Sequence, residues 1–305
     1  MKFLSFKVGA DDQPRLGVML EAGNVLDISA VRLALPEAQA AKVPASMKAL
    51  IEGGAEAIGV LQKLLADAAL HQHVVAADTL TFLAPITPSK NVFCVGRNYR
   101  EHIIEGNIAS GRPADSFPEA IEFFTKPPTA VVGHGASVSR HAALTKSLDY
   151  EVELAIVIGK RGVNISEAQA LDHVFGYTVV NDITARDLQK RHGQWFKGKG
   201  LDGTCPMGPV IVHHSAIANP NALQLSLDVN GEQRQNASTD EMIFTVQAVI
   251  AQLSAGMTLE PGDVISTGTP KGVGYAAKPP RCLQVGDVVT ARVEGIGELV
   301  STIVA

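Results

Sequence analysis

Asp149-Tyr150-Glu151-Val152-Glu153-Leu154-Ala155-Ile156-Val157-Ile158 alternates as a β-strand does. Side chains of a strand point to opposite faces in turn, so Tyr150, Val152, Leu154, Ile156 and Ile158 share one face and Glu151, Glu153, Ala155 and Val157 the other. Over 150–158 one face is wholly apolar, and the other is apolar but for two acids. Carboxylates at i and i+2 start about 7 Å apart, and glutamate side chains are long enough to converge on one ion. The pattern by itself admits two readings, a solvated strand end or a cation site. If the pair is buried, its repulsion has to be relieved by a cation or by a proton. A third acid favours the cation. Asp182 closes the apolar run Val174–Val180 and is followed by Ile183 and Thr184. Three carboxylates with no matching His or Cys cluster suit a hard divalent ion such as Mg²⁺, which keeps coordination positions for water or substrate.

Outward from this core, Arg186 and Gln189 lie four and seven residues beyond Asp182, which on a helix is one face. Arg186 there is either an ordinary helix ion pair or, beside a metal, a bidentate fork for a substrate carboxylate. Upstream, Arg97-Asn98-Tyr99-Arg100-Glu101-His102-Ile103-Ile104-Glu105 places His102 and Glu105 three apart. One helical turn would bring them together. A glutamate on one ring nitrogen fixes the tautomer and leaves the other nitrogen as a base. The plain alternative is a surface histidine on a polar helix, with Arg97 and Arg100 as surface charge.

The 305-residue chain is 46% hydrophobic and 19% charged, enough apolar content for a sizeable core. Its net charge of -5 gives no electrostatic reason to expect nucleic acid or an anionic membrane as partner. Cys94, Cys205 and Cys282 are odd in number and widely spaced, which argues against a disulfide scaffold and for a reducing cytoplasm. The start, MKFLSFKVGADD, lacks a secretory apolar segment, and no run approaches the ~20 apolar residues of a membrane span. Short strands are expected at MKFLSFKV, PRLGVMLE and NVLDIS, with a turn at Ala22-Gly23-Asn24. Helical spacing over 45–70 is expected to break at Gly53-Gly54. Pro85 and Pro88 mark a boundary between a small domain, 1–85, and a larger one, 86–305. In the larger part strands outnumber helices. A helix is expected at 166–174. Another is expected at 240–255, opened by Ser238 and Glu241 as a capping box and ended by Gly256. Asn230-Gly231 reads as a hairpin tip. Strands and helices do not alternate regularly, which excludes a doubly wound sheet or a TIM barrel. The expected class is α+β, mostly β: a mixed barrel or roll with a few covering helices.

Two glycine-rich stretches are decoys. Gly198-Lys199-Gly200-Leu201-Asp202-Gly203 fits G-x-G-x-x-G, but no strand precedes it and Pro206 and Pro209 forbid the helix that should follow. Ser266–Gly274 lacks P-loop spacing and reads as a flexible loop whose hydroxyls and N–H groups face a ligand.

CVGRNYREHIIE, DYEVELAIVIG, GYTVVNDITARDLQ, KGKGLDGTCPMGPVIV and VISTGTPKGVG, in that order, resemble the fumarylacetoacetate hydrolase family over about residues 88–305. The resemblance implies a mixed β-roll catalytic domain behind a small N-terminal α/β domain, and a homodimer. It implies Mg²⁺ or Mn²⁺ held by Glu151, Glu153 and Asp182, and a His102–Glu105 dyad on a lid. It places Lys199 facing the substrate, with Arg97, Tyr99, Arg186, Gln189 and Thr269 around it. A further metal-ligating Asp upstream, carried by the fumarylacetoacetate hydrolases proper, finds no match, which points to the bacterial branch acting on smaller keto acids. The implied activity is hydrolysis of a carbon–carbon bond in a β-diketo acid such as an acylpyruvate, in aromatic-compound catabolism. His102 and Glu105 would activate water, and the metal would stabilise the enolate leaving group. The same residues would equally serve decarboxylation of oxaloacetate or isomerisation of a hydroxy-diene-dioate. A non-catalytic ligand-binding homologue is the third reading.

Overall fold

The computed structural model describes residues 1–305, apart from the side chain of Ala22. In it, the stretch read as one strand is divided: Leu148–Asp149 is a short strand of its own, Tyr150 and Glu151 lie between, and Val152–Ile158 is the long strand, all seven residues of which are buried. That burial follows from its place in the middle of a sheet, antiparallel to Val174–Asn181 on one side and to Val264–Ser266 on the other. The two faces enter different cores, as their alternation requires. Val152, Leu154, Ile156 and Ile158 pack in the larger core, and Ala155 and Val157 in a second. The second core also takes Leu50, Ile51 and Leu61 from the N-terminal helix Met47–Leu65.

The main sheet has 12 strands. From one edge to the middle it runs Val74–Ala76, Asn24–Asp27, Arg15–Met19, Lys2–Val8, Cys205–His213 and Val174–Asn181. It continues with Val152–Ile158, Val264–Ser266, Val92–Val95 and Phe123–Lys126, while Leu80–Phe82 pairs with Lys2–Val8 and Val131–Val132 with Cys205–His213 off this path. Lys2–Val8 pairs with Cys205–His213, so the first residues of the chain extend the same sheet as the central strands. A second, five-stranded sheet runs Glu232–Ser238, Gln224–Val229, Val288–Val293, Gly297–Val304 and Ser137–Ser139. The fold is a mixed-sheet, mostly β, α+β architecture.

Local expectations meet several outcomes. The helix Met47–Leu65 kinks at Gly54 (φ 50°), as the glycine pair requires, and Ser46 caps it. Asn230 and Gly231, both at positive φ, turn the hairpin between Gln224–Val229 and Glu232–Ser238. The helix expected at 166–174 is a tight 3₁₀ turn, Glu167–His173. The capping box at Ser238 and Glu241 forms, but it heads only the short turn Thr239–Glu241. The helix proper is Val246–Ser254, capped by Thr245. The break has a physical cause. Residues 242–244 are drawn out of helix by Asn98, whose carbonyl accepts from the Ile243 N–H and whose side chain accepts from the Phe244 N–H.

Candidate active site

Antiparallel pairing builds the acidic cluster. Val152 sits opposite Asn181, and one step further the Asp182 N–H donates to the Glu151 carbonyl at 2.8 Å. Asp182 is thereby fixed beside the strand that carries Glu151 and Glu153. One carboxylate oxygen from each of the three lies within 4.8 Å of the others, and all three residues are buried.

Buried acids this close need compensation, and cations converge on them. Lys199, the last residue of the short helix Phe196–Lys199, places its ammonium 2.6 Å from Glu151 and 2.5 Å from Asp182. Lys126, at the end of the edge strand Phe123–Lys126, is fully buried and reaches Asp182 from behind at 2.8 Å. It also donates to the carbonyls of Ile183 and Lys199. Arg186 puts Nη2 2.7 Å from Glu151, as an ion pair, and donates from Nε to Asp149 at 2.9 Å. Burial alone would raise the Glu151 carboxyl, but Arg186 and then Lys199 hold it down at about 2. Glu153 makes no ion pair among the described residues. Burial, then repulsion from Asp182 and Glu151, push it up to about 8, against the pull of the Lys199 ammonium and hydrogen bonds from Ser266 Oγ at 2.5 Å and Gly268 N at 2.9 Å. Lys199 is raised, because the pull of Asp182 and Glu151 outweighs desolvation. Three cationic side chains thus face four carboxylates, Asp149 included. The residual negative charge falls on Glu153, which takes either a proton or a cation. A three-carboxylate donor set with unrelieved repulsion fits a hard divalent ion, so the cluster is able to hold a metal.

The cluster opens through Glu151 onto a cavity of about 550 Å³. Its walls include Arg97, His102, Arg186, Gln189, Lys199 and Tyr275. His102 comes from the helix Arg100–Ala109 that roofs the cavity, and its Nδ1 meets Glu105 Oε1 at 3.0 Å. Glu105 is held from the far side by the Gly272 N–H, 3.0 and 3.1 Å from its two oxygens. Arg97 is clamped by Glu122 at 2.8 and 2.9 Å, while its buried Nη1 has no hydrogen-bond partner among the described residues. Arg186 stacks over the Tyr275 ring at 4.5 Å.

The sequence-derived residues therefore fall into two groups. Glu151, Glu153, Asp182, Lys199, Arg186, Gln189, His102, Glu105 and Arg97 meet at or around this cavity. Tyr99 and Thr269 are buried and not among its lining residues. The Thr269 hydroxyl donates to the Val152 carbonyl and accepts from Gln235. The expectation that Ser266–Gly274 turns its hydroxyls and N–H groups to a ligand is corrected. Ser266 and Gly268 bond Glu153, Thr267 bonds the Leu154 carbonyl, Gly272 bonds Glu105, and Gly274 bonds Asp149. Buried polar groups take the nearest partners, and here those are carboxylates and backbone. Gly198 in the G-x-G-x-x-G decoy has a packing reason: a Cβ there would lie 2.5 Å from the Gln189 nitrogen, so glycine lets two short helices touch.

Lys126, Asp149 and Tyr275 belong to this arrangement as well, outside the residues that the sequence pattern points to. Asp149 carried a readable signal, since it continues the Glu151/Glu153 alternation by one more step. Lys126, in Phe-Phe-Thr-Lys-Pro-Pro, carried none beyond a charge closing an apolar run.

The family profile "Fumarylacetoacetate (FAA) hydrolase C-terminal" matches residues 91–304. Oxaloacetate tautomerase YisK of Bacillus subtilis (strain 168) is 56% identical over 217 residues, 71% of this chain and 70% of that protein. Mitochondrial oxaloacetate tautomerase fahd2 of Xenopus laevis is 37% identical over 307 residues, covering 100% of this chain and 90% of its own length. The solved structure of a fumarylacetoacetate hydrolase (EaFAH) from psychrophilic Exiguobacterium antarcticum superposes with a TM-score of 0.81 at 42% identity, covering 100% of this chain and 99% of that one. These findings correct the expected carbon–carbon hydrolase. The Bacillus tautomerase is 56% identical over the matched part against 42% for the hydrolase structure, and the Xenopus relative is a tautomerase too.

Proposed function

The chain belongs to the fumarylacetoacetate hydrolase family, and on that premise we propose that it is an isomerase interconverting the keto and enol forms of oxaloacetate or a close 2-oxo dicarboxylate. The observation that carries this reading is the meeting of the buried acidic cluster with Arg186, Lys199 and His102 around one cavity. Such a site can stabilise an enolate and move a proton. Tautomerisation needs nothing more: one proton leaves C3, one arrives on the C2 oxygen, the double bond moves from C2–O to C2–C3, and no other bond changes.

Glu151, Glu153 and Asp182 would hold a divalent cation, Mg²⁺ or Mn²⁺. When bound, that ion supplies Lewis-acid charge to the substrate oxygens. His102 takes the C3 proton, with Glu105 on Nδ1 fixing the tautomer that leaves Nε2 as base. Lys199 donates to the oxygen on which charge develops. Arg186, Gln189 and the unengaged arm of Arg97 receive the substrate carboxylates. Tyr99, buried at the start of the roofing helix, and Thr269, bonded to the Val152 carbonyl, would back the site without touching substrate. Within the chain, residues 1–85 are the smaller domain and 86–305 carry the chemistry, in a cytoplasmic homodimer.

The test is to add the protein to freshly dissolved enol oxaloacetate with Mg²⁺ or Mn²⁺ and follow the enol absorbance while assaying CO₂ and pyruvate. Expected is loss of enol in proportion to enzyme, abolished by EDTA, with no CO₂ above the buffer rate. Stoichiometric CO₂ and pyruvate would identify a decarboxylase using the same site. No acceleration of either process would refute the proposal.

A further inference from the structure

Asp149 is buried on the short strand Leu148–Asp149, which pairs with Thr184–Ala185. Its carboxylate gathers donors from two directions. Oδ2 accepts from Arg186 Nε at 2.9 Å and from the Tyr275 N–H at 3.1 Å. Oδ1 accepts from the Gly274 N–H at 2.8 Å and from its own neighbour, the Tyr150 N–H, at 3.0 Å. The loop comes this close only because residue 274 is glycine, since a Cβ there would sit 2.6 Å from Asp149 Oδ1. Two residues earlier, Gly272 (φ +101°) turns its N–H onto both oxygens of Glu105. Gly106 on the same roofing helix packs against the Tyr275 hydroxyl, where a Cβ would stand 2.8 Å away.

These contacts form one continuous path. Glu151 contacts Arg186, Arg186 contacts Asp149, Asp149 fixes the 272–275 loop, and the loop grips Glu105, which orients His102. We propose that Asp149 is a positioning residue that couples the acidic cluster to the lid, keeping the His102–Glu105 pair in register with Glu151 and Arg186. It touches no reacting atom and acts through the loop and the arginine. A carboxylate is required because it alone can accept from the guanidinium and from three backbone N–H groups at once. An amide offers one acceptor oxygen, and its NH₂ would face donors.

The test compares Asp149→Asn with the intact protein by amide hydrogen exchange and by turnover. Expected is exchange about tenfold faster in 100–109 and 272–275, with Val152–Ile158 unchanged. Turnover, the arm that rests on the proposed isomerase, should fall about ten- to a hundredfold. Adding Asp149→Asn to Glu105→Gln should then cost little more, because both changes cut the same path. Should Asp149→Asn fail to fold, Glu105→Gln alone still decides, since coupling is reciprocal: it should loosen Gly274 and Tyr275, which it does not touch. Unchanged exchange in the lid of Asp149→Asn, loosening spread evenly into the core, or a Glu105→Gln change confined to its own helix would each overturn the proposal. A protein inactive toward oxaloacetate whose exchange still follows this pattern would refute the isomerase and leave the coupling standing.

Discussion

Glu151, Glu153 and Asp182 sit on or at the ends of buried strands, fixed by ladder hydrogen bonds and by Lys126 and Lys199. His102 and Glu105 sit on a ten-residue helix with no side-chain N-cap, secured by packing and by one N–H of a glycine loop. In the proposed isomerisation the first region would store charge and the second a proton acceptor. Charge can be held rigidly, because its partners would not have to move in that reaction. The proton acceptor would have to admit and release substrate, which suits the part with fewer tertiary bonds. Damage to the strands should therefore remove cation binding and stability together, and damage to the lid should remove turnover alone.

Asp182→Ala should produce the largest loss. It leaves Lys126 and Lys199 buried without their shared partner, which costs about 3–5 kcal/mol of stability. Calorimetric binding of Mn²⁺ should vanish as well. A variant that kept normal Mn²⁺ affinity would erase the distinction between the two regions. His102→Ala should come next, with turnover lower by ~10²–10⁴ and Mn²⁺ affinity unaltered by calorimetry. A parallel loss of affinity would show the lid to be part of the cation site.

Proton linkage offers a third comparison. Without a cation, Glu153 is held protonated up to about pH 8 by burial and by repulsion from Asp182 and Glu151. A cation has to displace that proton, so Mn²⁺ affinity should rise with pH up to about 8 and then level off, by at most about tenfold per unit. Titrations in buffers of different ionisation heat should show about one proton released below that point. Glu151, at about 2, contributes no proton in this range. The smallest effect is expected for Ser266→Ala, about 1–2 kcal/mol in urea unfolding, with the pH at which affinity levels off moved upward and lid exchange untouched. Faster exchange in 100–109 of that variant would link the regions by a second route.

The cluster was legible because strand geometry has a period of two. Alternation at 149–158 put Glu151 and Glu153 on one face, and the end of the next apolar run supplied Asp182. The kink at Gly54 and the Asn230-Gly231 turn were legible for a different local reason, the ease with which glycine and asparagine adopt positive φ. What compensates the cluster was not. Lys126 comes from a strand on the far edge of the sheet, and nothing near it in sequence marks it as buried. The lid's anchor was hidden too, because the donor is a backbone N–H 167 residues away from Glu105. A glycine-rich loop shows that N–H groups are accessible, not which acid they will meet. The helix expected at 240–255 starts only at Val246 for a similar reason, since Asn98 claims the backbone of 243 and 244 from a distant segment.

One cation is expected among the carboxylates of Glu151, Glu153 and Asp182. Anomalous diffraction at the manganese edge from crystals soaked in Mn²⁺ tests it directly. Expected is a single strong peak bounded by all three carboxylates. The absence of a peak there, with the Lys199 ammonium still bridging Glu151 and Asp182, would contradict it.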